Sequence, residues 1–142
     1  MSDTIFSHPT NGTDFFGRVL EKTVGKILIP AGPIVLKRGR YGQGGRGARH
    51  IWQRHQTEMR KAGFHTEDDV VRYVATIIIP GTPLYCEFAR IQTTRLTVVR
   101  SATGMAVLQH QEDRSIGACY SVVTAFDGRN PHGTRIGKVE AV

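Results

Sequence analysis

The sequence predicts an α+β fold: N-terminal helices packed on a four- to five-stranded antiparallel β-meander. Three observations carry that expectation. A helical period runs over 47–62, strand-like composition takes over after Pro80, and the joints between the later strands are short. The chain has 142 residues, of which 39% are hydrophobic and 22% charged, so it reads as globular rather than disordered. No repeat or low-complexity linker divides it. It is read as one domain over 1–142, with 1–23 as a peripheral N-terminal extension.

Residues 24–36, VGKILIPAGPIVL, read as short strands broken at Pro30 and Pro33, because proline donates nothing to a ladder. The stretch 39–47 is a glycine-rich loop. A helix then runs over 47–62 and stops at Gly63, the residue type that suits the left-handed position after a helix. Its stripe of Ala48, Ile51, Trp52, His55, Met59 and Ala62 is the face expected against the sheet. Thr66 followed by Glu67, Asp68 and Asp69 opens a second helix, with a capping hydroxyl and then acids at the positive end of the dipole. Pro80 ends it.

LYCEF (84–88), RLTVVRS (95–101), MAVLQH (105–110) and ACYSVVTAF (118–126) are rich in β-branched and aromatic residues and read as strands. Short turn signals, 102–104 and 113–117, separate the later ones, and short connections favour antiparallel neighbours. In the last strand, alternation predicts Tyr120, Val122, Thr124 and Phe126 on one face. Cys119, Ser121, Val123 and Ala125 fall on the other.

Several function classes drop out early. No apolar run approaches the ~20 residues of a membrane span. The start, MSDTIFSHPT, lacks the basic region and apolar core of a secretory signal. Cys86 and Cys119 are the only cysteines, read as buried thiols in a reducing compartment. A cytoplasmic protein without membrane association is expected.

Charge is more specific. The net charge is +7, and segment 37–63 holds all of the excess. Lys37, Arg38, Arg40, Arg46, Arg49, Arg54, Arg60 and Lys61 stand there against Glu58 alone, while the flanking segments balance. Concentrated positive charge is the footprint of a polyanion site, and arginine suits forked contacts to phosphate oxygens. The bland counterpart is a solvated basic face with no partner.

Within that segment, GQGGRGARHIWQRH (42–55) admits three readings. Gly42, Gly44 and Gly47 match the dinucleotide pattern G-x-G-x-x-G, with Glu67 and Asp68 about twenty residues on. That pattern works inside a strand–helix–strand unit, whereas these acids open a helix. A metal pair is disfavoured because His50 and His55 are five residues apart, roughly 140° around an ideal helix. No metal or other cofactor is expected. An acid/base role beside phosphate remains, since histidine exchanges a proton near neutral pH. His55 lies within the apolar stripe, where a core histidine is the plain alternative. His50 lies off it, beside Arg46 and Arg49, where the alternative is an ordinary surface histidine. Tyr120 and Thr124 offer hydroxyls on one strand face, and Arg95 and Arg100 flank the strand 96–99 on opposite faces.

The glycine-rich basic loop, R-H-I-W-x-x-H on a helix, and a meander ending in Y-S-V-V-T-A-F together resemble the barnase–EndoU–colicin–RelE superfamily of ribonucleases, its phage- and toxin-associated branches most of all. The likeness spans 36–137. It implies helices before a four- or five-stranded antiparallel sheet and metal-independent RNA cleavage by a histidine, a cation and a hydroxyl from the last strands. Carried across by position, the histidine is His50 or His55, the hydroxyl Tyr120, Ser121 or Thr124, and the cation Arg95 or Arg100. Arg40, Arg46, Arg49, Arg54 and His132 are the candidate RNA-binding residues. The resemblance leaves open which histidine acts.

The expected function is a metal-independent endoribonuclease, of the kind used as a toxin or phage effector. It would cleave RNA by 2′-hydroxyl attack and leave a 2′,3′-cyclic phosphate. Its partners would be RNA, tRNA included, and a cognate inhibitor protein. The alternative is a non-catalytic nucleic-acid- or partner-binding module.

Overall fold

A computed structural model of the chain describes residues 4–88, 95–100, 103–128, 130 and 133–142. Four short strands come first: β1 (Gly17–Val19), β2 (Lys22–Val24), β3 (Ile27–Ile29) and β4 (Gly32–Val35). Helix α1 (Gly47–Lys61), a 3₁₀ turn (Glu67–Asp69) and α2 (Val70–Ile77) follow. The chain then runs through β5 (Pro83–Cys86), β6 (Arg95–Arg100), β7 (Gly104–Asp113), β8 (Gly117–Phe126) and β9 (Thr134–Lys138). Pro30 separates two of the early strands as expected, but Pro33 sits inside β4.

The expected architecture is overturned. The protein is mostly sheet, 41% strand against 21% helix. A seven-stranded mixed sheet runs in the order β1-β4-β8-β7-β6-β5-β9, with β2 and β3 as a separate hairpin. Strands, not helices, open the chain. β5 to β8 pair antiparallel in sequence order, yet β4 inserts beside β8 in parallel, Ile34 opposite Tyr120 and Val35 opposite Ser121. A parallel pair needs a long crossover, and here both helices and three strands lie between its members.

The sheet also curls back on itself. Arg18 of edge strand β1 exchanges two 2.9 Å backbone hydrogen bonds with Glu140, just past the other edge strand β9. Gly17 makes that closure possible: with φ +154°, a Cβ there would meet Val139 Cγ1 at 2.5 Å. Phe16 and Val19, from the stretch read as a peripheral extension, are buried in the common core.

The core joins the inner sheet residues Ile34, Leu36, Leu96, Val98, Leu108, Tyr120 and Val122 to the helix residues Ile51, Met59, Val74 and Ile77. α1 ends where the sequence places its stop. Gly63 (φ +94°) donates to the Arg60 carbonyl at 3.1 Å and Phe64 to that of Met59 at 2.8 Å, the paired bonds of a Schellman cap. At α2, the Asp69 carboxylate accepts from the backbone N–H groups of His65 and Thr66. It also meets Arg72 at 2.7 Å. No helix among the described residues is long and apolar enough to cross a membrane.

Candidate functional site

The glycine-rich segment is a tight crossing of two chain strands rather than a free loop. Arg40 and Arg46 form an isolated antiparallel bridge, with Arg40 N donating to the Arg46 carbonyl at 3.0 Å. Gly39 sits in the left-handed region (φ +72°), and a Cβ there would fall 1.6 Å from the Arg46 carbonyl oxygen. Gly47 (φ +80°) packs on Lys37 and Gly39, and a Cβ there would meet the Lys37 carbonyl oxygen at 2.6 Å. Ala48 and Arg49 donate to the carbonyls of Lys37 and Arg38, which cap the start of α1 without a side chain. Tyr41 then hydrogen-bonds Glu67, Arg49 stacks over the Tyr41 ring, and Gly42 N donates to Gln53 Oε1 at 2.7 Å.

Behind this crossing lies a cavity of about 320 Å³ lined by Lys37, Gly39, Arg40, Arg46, Gly47, Gln111 and Ser121. Lys37 Nζ is held by Asp113 at 2.8 Å and Gln111 at 2.9 Å. Those contacts also fix Asp113, whose carboxyl is pushed below its ordinary range first by the Lys37 hydrogen bond and then by the Ser115 N–H.

The two histidines lie on either side of a break in helical geometry. α1 kinks at His55, which leaves helical geometry (φ −127°, ψ 16°). The His50 imidazole is held below its ordinary pKa first by burial, then by the charge of His55 and of Arg54. Its Nδ1 is buried without a hydrogen-bond partner among the described residues, and it lies beside Gly45, where a Cβ would approach it to 3.3 Å. The His55 ring stacks on Phe126 (5.6 Å between centroids, 29°), and its Nδ1 stands 3.3 Å from Glu58 Oε1. Glu58 Oε2 accepts the Asp127 N–H at 2.7 Å. Glu58 carried no sequence signal beyond being the lone acid in a basic segment, and that was the clue available.

β8 departs from the expected alternation. Val107 pairs with Thr124 but Leu108 with Val122, so Val123 is an extra residue in β8. Past this bulge the faces exchange. Tyr120, Val122 and Ala125 point into the core with Leu108 and Ala106, whereas Ser121, Thr124 and Phe126 share the other face. The predicted Tyr120–Thr124 face therefore does not exist. Tyr120 is fully buried, donates to the Pro30 carbonyl at 2.7 Å and packs edge-on against His110; burial drives its pKa far up. It is a core residue. Thr124 Oγ1 is buried with no partner among the described residues, and Ser121 opens into the cavity.

The remaining candidates scatter. Arg95 is exposed and donates to Gln109, and Arg100 is tied to the Thr76 carbonyl at 2.5 Å. Arg49 lies on the Tyr41 side and Arg54 is exposed. His132 lies outside the described residues. The structure thus gathers Lys37, Arg40, Arg46 and Ser121 around one cavity, with His50 beside Gly45 at the adjoining loop. Lys37 carries only its share of the basic segment's charge as a signal, and Gln111 none, because only the β4–β8 pairing and the β7 register bring them there. Among the described residues no group of His, Cys, Asp and Glu could hold a metal ion.

No family model matches this chain, and no curated protein or solved structure does.

Proposed function

We infer that the chain is a metal-independent endoribonuclease working at the kink of α1. One observation carries the reading: α1 brings two imidazoles, His50 beside the glycine-rich crossing and His55 at the kink against Phe126, into the segment that holds the whole net positive charge. One imidazole removes the ribose 2′-hydroxyl proton, and the 2′-oxygen attacks phosphorus. The other protonates the departing 5′-oxygen, leaving a 2′,3′-cyclic phosphate. An arginine of the basic segment stabilises the charge gathering on the phosphoryl oxygens. RNA is the partner on this reading, and a cognate inhibitor and a cytoplasmic location go with it.

Cleavage of RNA by the purified chain in EDTA, with the cyclic end identified by mass spectrometry, tests it. Cleavage should persist in EDTA and fall in His50→Ala and His55→Ala. Equal cleavage per folded molecule in both variants refutes the assignment.

A second reading, a non-catalytic phosphate-gripping module, has its own support. Arg95 and Arg100 are engaged elsewhere and Tyr120 faces the core, so both candidate cations and one of the three candidate hydroxyls stand apart from the histidines. RNA binding without cleavage would favour it.

A further inference from the structure

We propose that the cavity behind the Arg40–Arg46 crossing is a subsite for a phosphate group of a nucleic acid, distinct from the histidine pair. The ribonuclease reading supplies only the role of that phosphate in a substrate; the binding chemistry stands without it.

The first support is a charge conflict. Arg40 and Arg46 are direct bridge partners, and like charges opposite one another on antiparallel backbone destabilise the pairing. Neither guanidinium meets a carboxylate among the described residues. Both line the cavity. Lys37 lines it too, but Asp113 neutralises it. The cavity wall therefore carries two uncompensated positive charges, matching the roughly −1.5 to −2 of a phosphomonoester or two phosphodiesters.

Ser121 is the second, independent support. Its side chain lines the cavity although the residue is only 2% exposed, and its hydroxyl makes no hydrogen bond among the described residues. A hydroxyl on the cavity wall that no protein group engages is free to donate to a ligand. A phosphate oxygen accepts from it while the arginines fork onto the others. Gln111 sits beside it, oriented by Lys37.

Size and rigidity agree. About 320 Å³ lies at the small end of ligand sites and takes a phosphate with its sugar. The Gly39 and Gly47 crossing holds the walls together without a ligand's help, so little ordering is needed on binding. Neither His50 nor His55 lines the cavity, so a phosphate there is gripped while a neighbouring one is cleaved.

The test is titration of the folded protein with inorganic phosphate, followed by NMR, against chloride at equal ionic strength. Saturable binding should weaken by about tenfold or more in Arg40→Gln, Arg46→Gln and Ser121→Ala. It should survive in Lys26→Gln, an exposed charge elsewhere. No saturation above chloride, or equal weakening in Lys26→Gln, overturns the proposal. Non-cleavable 2′-deoxy oligonucleotides then identify the source. Competition by the 5′-phosphorylated strand alone assigns a terminal phosphomonoester, whereas equal competition by its 5′-hydroxyl twin assigns an internal phosphodiester. Competition by neither overturns a nucleic-acid subsite. RNA cleavage without phosphate binding removes the subsite and leaves the ribonuclease. Phosphate binding without cleavage does the reverse.

Discussion

Glu58 holds His55 from one side and the backbone of Asp127 from the other, with Nδ1 at 3.3 Å and the amide nitrogen at 2.7 Å. A carboxylate that accepts from Nδ1–H leaves Nε2 as the free basic nitrogen of a neutral imidazole. Glu58 is therefore a positioning residue for His55. In Glu58→Ala, RNA cleavage should fall, by less than the roughly 10²–10⁴ of a lost proton-transfer group. Glu58→Gln, which keeps an acceptor, should recover part of the loss. Single-turnover rates and a ¹⁵N tautomer measurement on His55 check this together. A rate loss with an unchanged tautomer would leave Glu58 only the structural task of tying β8 to α1.

Gly39→Ala should be severely destabilising. The new Cβ would lie 1.6 Å from the Arg46 carbonyl oxygen, a backbone atom with no freedom to move aside. Gly42→Ala is the control: φ is +88° but nothing lies within 4 Å, so only the left-handed backbone strain of about 1–2 kcal/mol remains. Denaturant midpoints should rank the two variants in that order, with Gly39→Ala beyond about 4 kcal/mol. Equal midpoints would mean that the crossing is looser than its geometry shows.

Local signals in the sequence were readable and long-range ones were not. The Gly63 stop, the acidic start before α2 and the alternating runs after Pro80 each rest on chemistry within a few residues. The β4–β8 parallel pair and the Arg18–Glu140 closure depend on partners many residues away, and three-residue strands such as Gly17–Val19 are too short to show a period. Of the site, Arg40 and Arg46 were legible from charge. Ser121 was proposed as a hydroxyl on the resemblance alone, and Lys37 and Gln111 needed the sheet register.

Acid should weaken the fold in two stages. His50 and His8 both sit below their ordinary value of 6.5, His50 through burial, His55 and Arg54, and His8 through burial. The unfolded chain thus takes up those protons first, and their stabilisation, present above pH 6.5, is lost as pH falls through the lowered folded values. His8 Nδ1 also accepts from the N–H groups of Thr10 and Asn11, bonds that protonation breaks. Asp113 and Asp69 are lowered from 3.8, Asp69 to about 2 through Arg72, so the second stage begins near pH 3.8 and runs down toward 2. Denaturant midpoints across pH should show both stages, and His50→Gln should shrink only the first. A midpoint flat between pH 7 and 5 would contradict this.

The bulge at Val123 separates two hydroxyls that strict alternation would have put together, and their substitutions should behave oppositely. Tyr120 donates to the Pro30 carbonyl at 2.7 Å in the core, so Tyr120→Phe removes a made hydrogen bond and leaves a buried acceptor. Stability should fall by about 1–3 kcal/mol, while cleavage or phosphate binding per folded molecule stays unchanged. Thr124 Oγ1 is buried with no partner among the described residues, so Thr124→Val replaces an unsatisfied hydroxyl by a methyl of similar size. Stability should hold or rise by up to about 1 kcal/mol. Thr124 shares its face with Phe126, on which His55 stacks, so any effect on cleavage reports a hydroxyl used at the reacting phosphate. Melting temperatures and single-turnover rates on both variants are the measurement. A Thr124→Val protein that melts lower would mean the hydroxyl has a partner in the folded state, and a Tyr120→Phe protein that folds but loses activity would return Tyr120 to the site.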